Sequence, residues 1–323
     1  MKINMIRLIM KKHPLKGAIM MSKKSLLLSL FLMTLCCCSS LVNAKEFKLK
    51  HQHTLTADGP EEGLDSYAQI WNVLAPKSIE SPDLYSSNHT DTKHIIEAND
   101  DVVGNHFVFL SHLDDDTDRD KGKSDRQRNE IKVHDRSNPE LMGFKNETMQ
   151  YRWKFKIEDD FEFSKSFTHF FQVKAKNVSK KNNANGGDSY PLITLTVVDR
   201  GDEGNEFQLR HNAGFDENGG KTDTAKLIRK NLSLISGQWV EILAQIKYSE
   251  KGSIHFQIRS VETGELIVDF KKDKLDMWRG EGKQDFMRPK WGIYRSLKDK
   301  KSLRSDEEIA RFADFSISKG KLK

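Results

Sequence analysis

The chain has 323 residues, of which 37% are hydrophobic and 9% aromatic, and its 18 Phe and 5 Trp are enough for a packed core and exclude a disordered or low-complexity class. The formal charge of +6 arises in the first 44 residues, which hold seven basic and no acidic side chains; without those seven of the 53 basic residues, 46 stand against 47 acidic ones, a net −1. Whole-molecule attraction to nucleic acid or a membrane surface is thereby excluded, and any affinity for polyanions must come from a local patch.

Near the N-terminus, Lys23 and Lys24 precede an apolar run over 25–38, followed by Val42-Asn43-Ala44. This is the anatomy of a secretory signal peptide cleaved after Ala44, with Met21 a natural start. The run falls short of the roughly 20 apolar residues that a membrane-spanning helix needs, and no second such run follows. All three cysteines, Cys36 to Cys38, lie in this leader. The mature chain would hold no thiol, which excludes disulfides, zinc-thiolate sites and cysteine nucleophiles. The expectation is a secreted or periplasmic protein with a signal peptide over 1–44 and a single domain over 45–323. Lipidation of a leader cysteine is the alternative, although Leu32-Met33-Thr34-Leu35 matches it poorly.

From residue 45 on, short strand patterns follow one another with little helical periodicity. Candidate strands cover 106–112, 128–134, 149–157, 167–175, 192–198, 206–211, 239–248, 254–260, 266–270, 290–296 and 312–317, with turn signals at 182–187, 201–205, 218–220, 250–252 and 262–264. Strands at that spacing make an all-β sandwich or jelly roll.

Alternation sorts the side chains. In 149–157, Met149, Tyr151, Trp153, Phe155 and Ile157 take one face, and Gln150, Arg152, Lys154 and Lys156 the other. In 128–134, Ile131 and Val133 point inward, leaving Arg128, Glu130, Lys132 and His134 in a row. In 167–175, Phe170, Gln172 and Lys174 oppose Phe167, Phe171, Val173 and Ala175; His169 joins the latter set unless a bulge intervenes. In 290–296, Lys290, Gly292 and Tyr294 share a face, with Gly292 leaving open space beside Tyr294. Rows that meet on one curved sheet would line a groove with cations, an amide and a phenol.

Such a groove suits an acidic sugar. The C5 proton of a uronate is removable only when its carboxylate is neutralised by hydrogen-bonding cations or amides, which stabilise the developing enolate-like anion. A base takes that proton and an acid protonates the leaving glycosidic oxygen. A tyrosine whose pKa is depressed by neighbouring cations can do one or both jobs. Arg128, Gln172, Lys174 and Tyr294 meet the requirement. Glu-x-Asp-x-x-Glu, the carboxylate arrangement of jelly-roll glycosidases, is absent. A non-catalytic glycan-binding module and a glycosidase are the alternative readings.

Three blocks carry a family resemblance: Asp125-Arg126-Gln127-Arg128-Asn129-Glu130-Ile131-Lys132, Phe167-Thr168-His169-Phe170-Phe171-Gln172-Val173-Lys174 and Arg288-Pro289-Lys290-Trp291-Gly292-Ile293-Tyr294-Arg295-Ser296. They resemble polysaccharide lyases with a concanavalin A-like jelly roll, a group that includes heparin lyase I, glucuronan lyases and alginate lyases. Arg128 and Glu130 match an Arg-x-Glu motif, Gln172 the Gln of Gln-Ile-His, and Lys290, Gly292 and Tyr294 a Lys-x-Gly-x-Tyr motif. Where the second motif has His, this chain has Lys174, so the base stays open. Either Tyr294 is both base and acid while Lys174 neutralises the carboxylate, or His169 or His106 takes the proton.

The resemblance implies an all-β fold of two curved antiparallel sheets and β-elimination on a uronate polymer. Tyr294, Gln172, Lys174, Arg128 and His169 are the candidate catalytic residues. Arg126, Glu130, Lys132, Arg210, Lys290 and Arg295 are candidates for binding substrate. No cofactor is required for the chemistry. Separately, Asp114-Asp115-Asp116-Thr117-Asp118-Arg119-Asp120-Lys121-Gly122 alternates carboxylates as hard-cation loops do, although Gln127 stands where an EF-hand has its glutamate. Relatives in the group carry structural calcium, so Asp116, Asp118 and Asp120 are candidate calcium ligands, against a plain charged turn. The expected partner is an acidic polysaccharide, with no nucleic acid and no membrane span, and the expected state is a monomer.

Overall fold

The computed structural model describes residues 46–61, 63–121, 125–177, 189–214, 223–280, 282–305 and 307–323. The expected leader with its cysteines, and the turn signals at 182–187 and 218–220, lie outside them. In chain order the elements are β1 (Phe47–Leu55), α1 (Ser66–Leu74), β2 (Ile79–Glu80), β3 (Ile95–Asp100), β4 (Gly104–His112), β5 (Arg126–Lys132), β6 (Thr148–Ile157), β7 (Thr168–Lys176), β8 (Ile193–Asp199), β9 (Asn205–Asn212), β10 (Thr224–Asn231), β11 (Val240–Lys247), β12 (Gly252–Ser260), β13 (Leu266–Leu275), β14 (Phe286–Ser296) and β15 (Glu307–Leu322). Two antiparallel sheets result. One runs β13-β12-β11-β6-β15-β4-β3, with β1 pairing the C-terminal half of β15; the other runs β10-β9-β8-β7-β14-β5-β2. This is the jelly-roll architecture expected. No helix among the described residues is long and apolar enough to cross a membrane.

The alternation along β6 decides how the sheets meet. Met149, Tyr151, Trp153, Phe155 and Ile157 are buried, while the intervening polar residues stay partly exposed. Trp153 lies 4.6 Å from Phe171 and 5.9 Å from Trp291, ring centre to ring centre, so β6 faces β7 and β14 across the core. Trp291 also contacts Phe315 of β15 at 5.2 Å. Each such ring contributes about 1.5–3 kcal/mol of burial.

Five elements have no counterpart in the sequence reading: β1, α1, β2, β3 and β10. β10 reads Thr-Ala-Lys-Leu-Ile-Arg-Lys-Asn and is exposed at most positions, so no hydrophobic alternation marks it. It is an edge strand held by its ladder to β9.

A double irregularity sits at the centre of the second sheet. β14 pairs with β5 without a break, from Lys290 opposite Lys132 to Ser296 opposite Arg126. Against β7, however, Trp291 faces Phe171 and Tyr294 faces His169, so Gly292 and Ile293 share a single opposing residue. β7 in turn carries Phe170 as an extra residue against β8. Phe170 and Phe171 consequently both enter the core, Phe170 lying 5.1 Å from Phe155. Beyond the bulge the alternation is inverted, and His169 is turned to the same side as Gln172 and Lys174.

Gly292 belongs to this bulge and leaves no open space, contrary to the sequence expectation. Its φ is +136°, and a Cβ built there would lie 2.1 Å from the Asn129 carbonyl oxygen. Neither can give way, since both are backbone in a paired ladder. Gly292→Ala should therefore cost at least about 2 kcal/mol, read as a lowered midpoint in urea unfolding.

Candidate active site

Strands β5, β7, β8, β9, β10 and β14 line a cavity of about 290 Å³ on the second sheet. Arg126 and Arg128 come from β5, His169, Gln172 and Lys174 from β7, Thr194 from β8, Arg210 and Asn212 from β9, and Tyr294 from β14. Residues distant in sequence meet because β14 lies between β5 and β7, which places Tyr294 opposite both Arg128 and His169.

Tyr294 is the centre of the cluster. The Arg128 guanidinium lies 3.8 Å from the centre of its ring, and Arg126 Nη1 donates to its hydroxyl at 3.0 Å. The His169 ring is 5.9 Å from the Tyr294 ring, with Phe167 stacked on His169 at 4.6 Å. His169 Nδ1 is 2.8 Å from Thr196 Oγ1, which is itself 2.7 Å from Thr194 Oγ1.

Burial and a field of cations set the charge states. Burial, reinforced by Arg210, Arg128, Lys290 and Lys174, holds His169 well below the usual histidine range, so it is neutral at pH 7. Burial, with Lys290 and Arg128, brings Lys174 down to about 7. Burial also lowers Arg210, to about 10, with Arg200 adding to it. Tyr294 moves opposite to the sequence expectation: burial raises its pKa, and the pull of Arg128 and Arg126 does not cancel that rise. It holds its proton at neutral pH.

The cations divide into two groups. Arg128 lines the cavity but is saturated: it grips Asp118 through Nε at 2.7 Å and Nη2 at 3.2 Å, and also donates to Glu130. Lys174 and Arg210 have no ion pair among the described residues; Arg210 Nε donates to the neutral Gln208 at 2.6 Å. Gln172 faces the cavity with its amide NH2 group on Glu130.

Four of the six expected substrate-binding residues do not reach the cavity. Glu130 is buried between Arg128, Gln172 and Lys290, the last at 2.5 Å. Lys132 and Lys290 both turn onto Glu80, at 2.6 and 2.7 Å. Arg295 alternates to the opposite side of β14, fully buried, where it donates to Gln127 Oε1 at 2.7 Å and the Glu162 carbonyl at 2.9 Å. Arg126 and Arg210 do line the cavity. His106 lies in the other sheet on β4, 2.9 Å from the Gly104 carbonyl and packed on Trp239, so it is no candidate for the base. Glu80 escaped the sequence reading, because a two-residue strand has no pattern to detect.

The expected calcium ligands do not converge either. Asp118 is committed to Arg128 and Arg119, and Asp120 accepts from the Ser87 hydroxyl at 2.8 Å. Asp116 is surrounded by imidazoles, which are poor company for calcium. These three carboxylates do not fit a calcium site.

The polysaccharide lyase family model matches residues 87–310, a stretch that holds every residue lining the cavity. The chain belongs to this family, and it is a polysaccharide lyase. Among solved structures it is similar to the alginate lyase of Aplysia kurodai, with a TM-score of 0.51 at 13% identity over 82% of this chain and 97% of that one. It is also similar to an endo-β-1,4-glucuronan lyase from the fungus Trichoderma reesei, with a TM-score of 0.48 at 14% identity over 75% of this chain and 93% of that one. At such identities the likeness describes the fold. The comparison with curated proteins finds no match.

Proposed function

We propose that this lyase is exported and cleaves a uronate-containing polysaccharide by β-elimination, with His169 as base and Tyr294 as acid. The observation that carries the reading is the pair of cations without an ion pair among the described residues, Lys174 and Arg210, beside a neutral histidine and a protonated tyrosine in one cavity. A uronate carboxylate would take Lys174 and Arg210 as counter-ions, with Gln172 alongside, which acidifies C5. When the Thr196 hydroxyl gives its proton to Thr194, it accepts from His169 Nδ1–H, and His169 Nε2 is left as a lone pair.

The electrons then balance in one sequence. His169 Nε2 takes the C5 proton, the C5–H pair becomes the C4=C5 double bond, and the C4–O bond breaks. The leaving oxygen receives the Tyr294 proton, and the resulting phenolate is held by Arg126 and Arg128. The incoming carboxylate also offsets the cation field on His169, so the base strengthens when substrate is seated.

The test is a panel of uronate polymers (alginate, glucuronan, heparin-type and ulvan-type) read by ultraviolet absorbance and product mass. At least one should yield unsaturated uronate ends; a folded enzyme giving saturated products, or none with any uronate polymer, overturns the reading. The pH profile is a second expectation. Lys174 is charged below a pKa of about 7 and uncharged above it. For the free enzyme, kcat/KM should therefore fall about tenfold per pH unit on the alkaline side of 7. Lys174→Arg should move that limb to higher pH.

A further inference from the structure

We propose that His89, His94, His112 and Asp116 form a structural zinc site, separate from the cleft. His94 immediately precedes β3 and His112 ends β4. The ladder between those strands, with Ile95 opposite Phe109 and the Leu110 N–H on the His94 carbonyl at 2.9 Å, brings the two imidazoles together. The segments just before β3 and just after β4 add His89 and Asp116.

Four inward-facing side chains bring their ligand atoms close enough to share one ion. Asp116 Oδ1 lies 3.0 Å from His89 Nδ1 and 2.9 Å from His94 Nε2, His94 Nε2 lies 3.2 Å from His112 Nδ1, and His112 Nδ1 lies 3.6 Å from Asp116 Oδ2. All four ligand atoms fall within 4.8 Å of one another. Ligands about 2.0–2.1 Å from a tetrahedral zinc stand about 3.3 Å apart. The three rings are nearly perpendicular in pairs, at 83°, 81° and 82°. They converge on a point instead of stacking.

The outward nitrogens complete the argument. His89 Nε2 is 3.1 Å from Asp91, His94 Nδ1 is 3.3 Å from Asp83, and His112 Nε2 is 2.9 Å from Glu307. A metal at the centre would take the inward nitrogen of each imidazole as a lone pair and leave its single N–H to the outward carboxylate. Carboxylate–histidine pairs of this kind orient metal ligands. Asp116 is fixed as well, since its Oδ2 accepts the His112 backbone N–H at 2.7 Å.

Imidazole nitrogens select zinc over calcium or magnesium, and four protein ligands leave no open position for catalysis. The role is to pin a loop. Asp118, two residues beyond Asp116, holds the Arg128 guanidinium that lies against Tyr294.

The experiment uses the full chain, purified without a histidine tag, equilibrated with Zn2+ and desalted. Elemental analysis should find about one zinc per chain, and Co2+ in its place should give visible bands of tetrahedral intensity. Chelation should lower Tm by about 5 °C or more, restored by Zn2+ and not by Ca2+. His112→Gln should lose the metal while keeping its β-sheet circular dichroism. If that variant does not fold, chelation and add-back on the wild type decide the matter alone. Fewer than about one zinc in ten chains, a Tm indifferent to chelator, recovery with Ca2+ in place of Zn2+, or a folded His112→Gln that still holds metal would each overturn the assignment.

Discussion

Tyr294→Phe should lower kcat on the best uronate polymer by at least about 100-fold while leaving polymer binding nearly unchanged, because only the proton donor is removed. The ring stays to fill its place against Arg128 and Phe167. The lost contact is one hydrogen bond from Arg126 at 3.0 Å, a stability cost of about 0.5–1.5 kcal/mol. Single-turnover rates and a binding isotherm on the same variant separate the two effects. Burial keeps Tyr294 protonated, so its part is to deliver a proton to the departing oxygen. A synthetic uronide with a better leaving group at C4, one that departs without protonation, should therefore recover much of its rate with Tyr294→Phe. It should recover none with His169→Asn, which lacks the base. No recovery by Tyr294→Phe would mean that Tyr294 performs both transfers.

The sequence carried the Tyr294 face and hid the His169 face for one physical reason. Alternation in β6 and β14 survives intact, so the inward tryptophans and the outward Tyr294 follow from a period of two. β7 breaks that period at Phe170, and a single inserted residue moves every side chain beyond it to the other face. Two adjacent phenylalanines hint at a bulge, but nothing in one strand's sequence says which of them is the extra one. The chemistry of the Arg128, Glu130, Lys132 and Lys290 row was also readable only in part. Type and face were correct, yet their fate as buried ion partners depended on Glu80, which arrives from a two-residue strand. Asp116, Asp118 and Asp120 read as a unit because they alternate. The turn that carries them sends each to a different partner.

Glu80→Gln should be among the most destabilising single changes in the protein, and its effect should depend on acid in a defined direction. Four cations converge on this carboxylate: Lys132 at 2.6 Å, Lys290 at 2.7 Å, Arg119 at 3.4 Å and Arg128 at 3.5 Å. Burial alone would raise its pKa, but the pull of Lys290, Arg128, Lys132 and Arg119 wins and holds it well below the usual 4.5. The folded value is depressed, so the contribution of Glu80 is fully present above the unfolded pKa and is lost as pH falls towards the folded one. Wild-type Tm should consequently drop steeply below about pH 4.5, and the Glu80→Gln slope should be shallower there. At neutral pH, removing one partner from a buried ion cluster costs about 3–5 kcal/mol, on the order of 10 °C in Tm. The cluster also explains how a stretch of nearly neutral charge, residues 45–323 with 46 basic against 47 acidic side chains, presents a cationic cleft. Glu80, Asp118 and Glu130 neutralise the cations beneath the sheet surface, whereas Lys174 and Arg210, which form no ion pair among the described residues, face the cavity. Neutralising Glu80 should thus weaken folding far more than it weakens the affinity for a uronate polymer.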